Sequence, residues 1–115
     1  MRKGDDIRDR TFRFGCDVVR VCDVVAERGF SARQLARQLA ASGTAVGALL
    51  EEADGAQSRA DFISKCTISL KEARETHYWL RVMHATGKLD EPGISDECNQ
   101  IIAILTTIVR KSRGE

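Results

Sequence analysis

Apolar residues return every three to four positions along four stretches of the chain, which is the period of a helix with one buried face. In the first, predicted over 9–28, Phe14, Val18, Val21, Cys22 and Val25 share a face. The Val-rich run 18–25 has strand propensity, but its length and 3.6-residue period select helix. In the second, over 32–53, the stripe is Leu35, Leu39, Ser42, Val46, Leu49 and Ala53. The third, over 59–86, aligns Phe62, Cys66, Leu70, Ala73, His77 and Leu80; the fourth, over 96–112, follows Ile94, Cys98, Ile101, Leu105 and Ile108. Gly29, Asp54-Gly55, Gly87 and Pro92-Gly93 separate them. Ser31-Ala32-Arg33-Gln34 and Ser58-Arg59-Ala60-Asp61 read as capping boxes, with Ser95 as the N-cap of the fourth helix. Short connections make successive helices antiparallel neighbours. The expected fold over 1–115 is one all-α domain, an up-down-up-down four-helix bundle.

Two of these helices carry more apolar surface than one bundle seam needs. On the third, Ile68, Trp79, Val82 and Met83 lie roughly opposite Leu70, with Glu72 and Glu75 among them. On the fourth, Ile102, Ile104 and Val109 widen the main stripe. A thick core absorbs some of this surplus. Another copy of the chain absorbs it more simply, and Ile68, Trp79, Val82, Met83, Ile102 and Val109 are the expected interface residues.

The second helix carries a different signal. Ala36, Ala40, Gly43 and Gly47 line one flank. A glycine inside a helix costs about 1 kcal/mol relative to alanine. Either the two mark a weak turn, or another backbone approaches closely there. The alanines on the same line favour close approach.

Composition narrows the function. The 115 residues are 43% hydrophobic and 30% charged, with a net charge of +1. Residues 1–50 carry +3 and residues 51–115 carry −2. That balance weighs against a dedicated nucleic-acid binder. The first residues show no apolar leader and no run reaches a membrane span. The four cysteines show no paired spacing and read as reduced thiols, so the cytoplasm is the expected compartment.

No pattern for catalysis or cofactor binding emerges. The di-iron bundle motif Glu-x-x-His is missing, since Glu72-Ala73-Arg74-Glu75 is Glu-x-x-Glu. His77 and His84 are two turns apart, ~10 Å by rise. Cys66 and His77 are separated by ~16 Å, too far for a nucleophile pair on one helix. Gly43-Thr44-Ala45-Val46-Gly47 lacks the lysine of a phosphate loop. Glu51, Glu52, Lys71, Glu72, Arg74 and Glu75 are candidates for a polar network, read as ion pairs that fix helix register before a carboxylate site. The ends of the first and fourth helices gather Arg2, Lys3, Arg8, Arg10 and Arg13 with Arg110, Lys111 and Arg113. Of these, Arg10, Arg13, Arg110, Lys111 and Arg113 would make the nucleic-acid surface, opposed by nearby Asp and Glu. No enzyme activity, cofactor or small-molecule substrate is expected.

The stretch Ser42-Gly43-Thr44-Ala45-Val46-Gly47-Ala48-Leu49-Leu50-Glu51-Glu52-Ala53, the turn Gly55 to Phe62, and Leu70-Lys71-Glu72-Ala73-Arg74-Glu75-Thr76-His77-Tyr78-Trp79-Leu80 resemble the bacterial four helix bundle protein family. Its best-known members are encoded by intervening sequences within large-subunit ribosomal RNA genes. The likeness covers nearly the whole chain and is most specific in the Lys71–Leu80 stretch. Leu49 departs from it, standing where the family usually has Asn. The resemblance implies a homopentameric ring without known enzymatic activity. A related group is the accessory protein of diversity-generating retroelements, a basic pentamer that binds reverse transcriptase and nucleic acid. The near-neutral charge of this chain fits that group poorly.

Overall fold

The computed structural model describes residues 5–115, and for Asp5 the backbone alone. Arg2 and Lys3 lie outside the described residues. Four helices follow one another: α1 (Asp5–Ala26), α2 (Phe30–Asp54), α3 (Arg59–Ala85) and α4 (Gly93–Ser112). Among the described residues there is no strand.

Several helix ends have an identifiable cause. The turn after α1 passes through Gly29 at φ 130, a conformation that disfavours a side chain. Gly29 takes the cap position of α2 and makes no side-chain bond, so Ser31 lies inside the helix and its expected capping box does not form. Ser58 does cap α3, its Oγ accepting the amide of Asp61 at 3.0 Å. α3 ends in a Schellman turn: Gly87 N–H donates to His84 O at 3.2 Å and Lys88 N–H to Met83 O at 2.9 Å, with Gly87 at φ 73. α4 starts earlier than Ser95. Glu91 supplies the cap from outside the helix, accepting the amides of Gly93 (2.6 Å) and Ile94 (3.1 Å). Its negative charge also suits the positive end of the helix dipole.

The helices pack in a ring of four seams, α1 on α2, α2 on α3, α3 on α4, and a less extensive α1–α4 seam. Among the described residues the diagonal pairs, α1 with α3 and α2 with α4, are not backbone neighbours. Cross-helix bonds fix the antiparallel register: Cys22 to Ala36 O, Ser69 to Val46 O and Cys98 to Ala73 O. The core contains Phe14, Val18 and Val25 from α1, Leu39 and Val46 from α2, Leu80 and Met83 from α3, and Ile101 and Leu105 from α4. Buried hydroxyls are satisfied. Thr76 donates to Glu72 O at 2.8 Å and accepts from the Ser42 hydroxyl at 2.9 Å, and Ser69 donates to Val46 O at 2.8 Å.

Met83 and Val109 correct the expected interface. They are 0% and 3% exposed and belong to the core. Met83 lies at the margin of the α3 arc, where a long flexible side chain turns inward.

Candidate functional site

The α1–α2 seam is closed by missing side chains. A Cβ on Gly43 would lie 2.7 Å from Val18 Cγ1, and one on Gly47 would lie 3.2 Å from the backbone oxygen of Thr11. Of the flanking alanines, Ala36 is buried and Ala40 half-buried. With the two backbones this close, the seam has no room for bulky residues from the outer flank of α1. Phe12 and Val19 are therefore left outside, 67% and 46% exposed. Together with Gly15, Cys16, Thr44, Gly47 and Ala48 they border a shallow groove of about 320 Å³ along the outer α1–α2 face. Sequence periodicity missed this face, because every α1 residue off the main stripe reads as solvent-facing. The signal for it was the pairing of Phe12 and Val19 at seven residues, two turns apart on one side.

The second apolar face is on α3. Ile68, Glu72, Glu75, Trp79 and Val82 follow at spacings of four, three, four and three, and so share one side. Ile68 is 39% exposed; Trp79 and Val82 are half-buried. Tyr78 and Trp79 meet edge to face, 5.2 Å between centroids, and Trp79 Nε1 donates to Glu75 at 3.2 Å. Partial burial raises the Glu72 carboxyl above its usual range, and the charge of Glu75 adds to it. On α4, Ile102 is half-buried and packs against the core.

The six candidates for one polar network separate into two groups. At the end of α2, Arg8 bridges Glu51 (2.9 Å) and Asp54 (3.3 Å), and Lys65 approaches Glu52 at 3.9 Å. Glu72 and Glu75 lie two turns or more further along α3, and among the described residues neither forms an ion pair with Lys71 or Arg74.

The basic residues separate in the same way. Arg10 gives a two-pronged bond to Glu97 (2.7 Å each) and another to Gln100. These bonds hold the Glu97 carboxyl below its usual range and raise the Arg10 guanidinium. Arg13 lies 3.6 Å from Asp9. Arg110 and Lys111 are exposed at the end of α4, and Arg113 reaches the Thr67 hydroxyl at 3.4 Å. Between α1 and α4 lies an apolar groove of about 480 Å³ lined by Ile7, Leu50, Phe62, Cys66, Ile104 and Ile108.

Thiol and imidazole groups are held in structural roles. Burial pushes Cys22 up to about 11 and Cys98 to about 12, and raises Cys66. Cys22 and Cys98 donate to backbone carbonyls at 3.3 Å. His84 sits between Leu80 O and Glu91 O, tying the α3–α4 loop to its helix. Burial and Arg81 lower His77. Among the described residues no three metal-ligating side chains cluster, and no helix is long and apolar enough to cross a membrane.

Comparison with known proteins agrees with this architecture. The crystal structure of a protein of unknown function from the S23 ribosomal protein family of Bacteroides thetaiotaomicron VPI-5482 superposes with a TM-score of 0.86. It is 32% identical, over 95% of this chain and 99% of that one. No curated protein matches. The model of the 23S rRNA-intervening sequence protein family matches residues 5–110, and the chain belongs to that family.

Proposed function

We propose that the protein is a non-enzymatic helical module that works by assembling with copies of itself, in the pentameric ring the family resemblance implies. The observation that carries this reading is the pair of apolar faces left over on one bundle. Phe12 and Val19 stand exposed on α1, and Ile68 stands exposed on α3 beside Trp79, which is half-buried against the core. Exposed Phe, Val and Ile side chains that gather into patches mark an interaction surface. The chemistry of the other groups supports a non-catalytic role. The thiols that burial raises are poor nucleophiles, and Glu51 and Glu97 are engaged by arginines. Free, mostly buried cysteines suit the reducing cytoplasm.

A second reading is an accessory protein that binds RNA or a reverse transcriptase. It rests on Arg110, Lys111 and Arg113 at the end of α4, because Arg10 and Arg13 already face Glu97 and Asp9. Sedimentation velocity over a range of protein concentrations tests the first reading. A species larger than the monomer is expected, and a monomer at every concentration refutes it.

A further inference from the structure

The two apolar faces are not copies of each other. Among the described residues α1 and α3 are not backbone neighbours but lie diagonally across the bundle, each packed on α2 and α4. A two-fold contact through one face leaves the other in water. A head-to-tail contact, face of one copy against the different face of the next, covers both at every junction.

Charge distinguishes the faces in a complementary sense. On α2, Thr44, Ala48 and Glu51 line the outer groove, with Glu51 neutralised by Arg8 at 2.9 Å. Arg37 and Arg33 precede Thr44 by seven and eleven residues, two and three turns, and continue the same side of the helix. Both are exposed, and among the described residues neither forms an ion pair. They stand near the positive end of the α2 dipole, in a helix whose first turn contains no acid. The α3 face has the opposite character. Glu72, half-buried, and Glu75, exposed, lie between Ile68 and Trp79. Among the described residues neither forms an ion pair, and the charge of neighbouring Lys71 only partly offsets the upward shift of Glu72, so a guanidinium partner is favourable there. Arg33 and Arg37 are ~6 Å apart by helix rise, and Glu72 and Glu75 ~4.5 Å, so one pair can face the other. Trp79 and Tyr78 add an aromatic surface beside the acids, on which a guanidinium stacks well.

We propose that the α1–α2 face of one copy docks on the α3 face of the next, Phe12 and Val19 meeting the Ile68–Trp79 side while Arg33 and Arg37 of the first copy engage Glu72 and Glu75 of the second. This deepens the assembly reading and rests on it. Cys16 lies in the groove that the junction covers, so its thiol becomes inaccessible on assembly.

The test uses three variants of the full chain: Arg33→Glu with Arg37→Glu, Glu72→Arg with Glu75→Arg, and all four changes together. Sedimentation equilibrium measures association, and circular dichroism checks that each chain is helical. Like charges across the junction weaken each double variant by about tenfold or more. The fourfold variant, in which the charges are exchanged, regains association close to the wild type. Association that survives both inversions overturns the head-to-tail assignment while leaving assembly standing; a wild type that is monomeric throughout overturns both. A second measurement needs no variant. Iodoacetamide modifies Cys16 slowly in concentrated wild-type protein and faster on dilution. Equal rates at all concentrations in a protein that does assemble show that the α1–α2 face is not the one covered.

Discussion

The α1–α2 and α1–α4 seams use the same helix and solve the packing problem in opposite ways. At α1–α2, glycine removes the side chains, the backbones close up, and Val18 occupies the space where a Gly43 Cβ would be. At α1–α4 the backbones stay apart. An apolar groove of about 480 Å³ remains, and Arg10 at its edge ties α1 to Glu97 and Gln100 of α4. The tight seam makes α1 and α2 a plate with Phe12, Cys16 and Val19 on its outer side. The loose seam uses polar reach where close packing is missing. Exposed apolar surface on α1 thus arises where the interior packs most tightly, since bulky residues excluded from a closed seam go outward.

The largest break in that comparison is Gly43→Leu. Val18 has no room to move outward against a core at interior density, so the seam must open. A loss of about 3 kcal/mol in urea unfolding is expected, together with loss of association as the outer groove distorts. Arg10→Ala acts on the other seam. It leaves Glu97 half-buried without its charged donor and costs about 1–2 kcal/mol.

The same pair gives the seam a pH signature. Hydrogen bonding from Arg10 holds Glu97 below its usual range, so the folded state binds this proton more weakly than the unfolded chain. The contribution is fully present above the unfolded carboxylate value, about 4.3. It is lost as pH falls through the lowered folded value. Stability measured from pH 6 downward is expected to fall less steeply in Arg10→Ala than in the wild type.

Gly15→Ala sharpens the contrast within α1. Its Cβ would meet Thr44 Cα at 3.9 Å, an ordinary contact. The gain in helix propensity then dominates, and dilute protein is expected to gain about 0.5–1 kcal/mol. The smallest effect is Glu72→Gln. Removing a carboxyl that partial burial and Glu75 disfavour raises monomer stability by less than about 0.5 kcal/mol at neutral pH.

How much of this was legible follows from range. The four helices were readable, because 3.6-residue periodicity is local and strong in each. Their ends were less so. Ser58 caps α3 from adjacent sequence, whereas α4 takes its cap from Glu91, outside the periodic run. α2 begins one residue before Ser31 because the positive φ of Gly29 sets the turn. The surplus on α3 was visible as a second stripe, but Met83 at its edge turns into the core. The Phe12 face was not visible. It depends on how closely α2 approaches α1, which a helix wheel of α1 alone does not contain. Arg10 likewise read as a surface cation, and its partner Glu97 is 87 residues away.

The most direct test of assembly through leftover apolar faces is sedimentation equilibrium of the wild type and Phe12→Ser, from about 1 to about 100 µM chain. Phe12 is mostly exposed, so the substitution leaves the bundle folded. The wild type is expected at a multiple of 12.7 kDa that dissociates on dilution, and the variant at 12.7 kDa. A wild type at 12.7 kDa throughout, or the same multiple for both chains, would contradict the account.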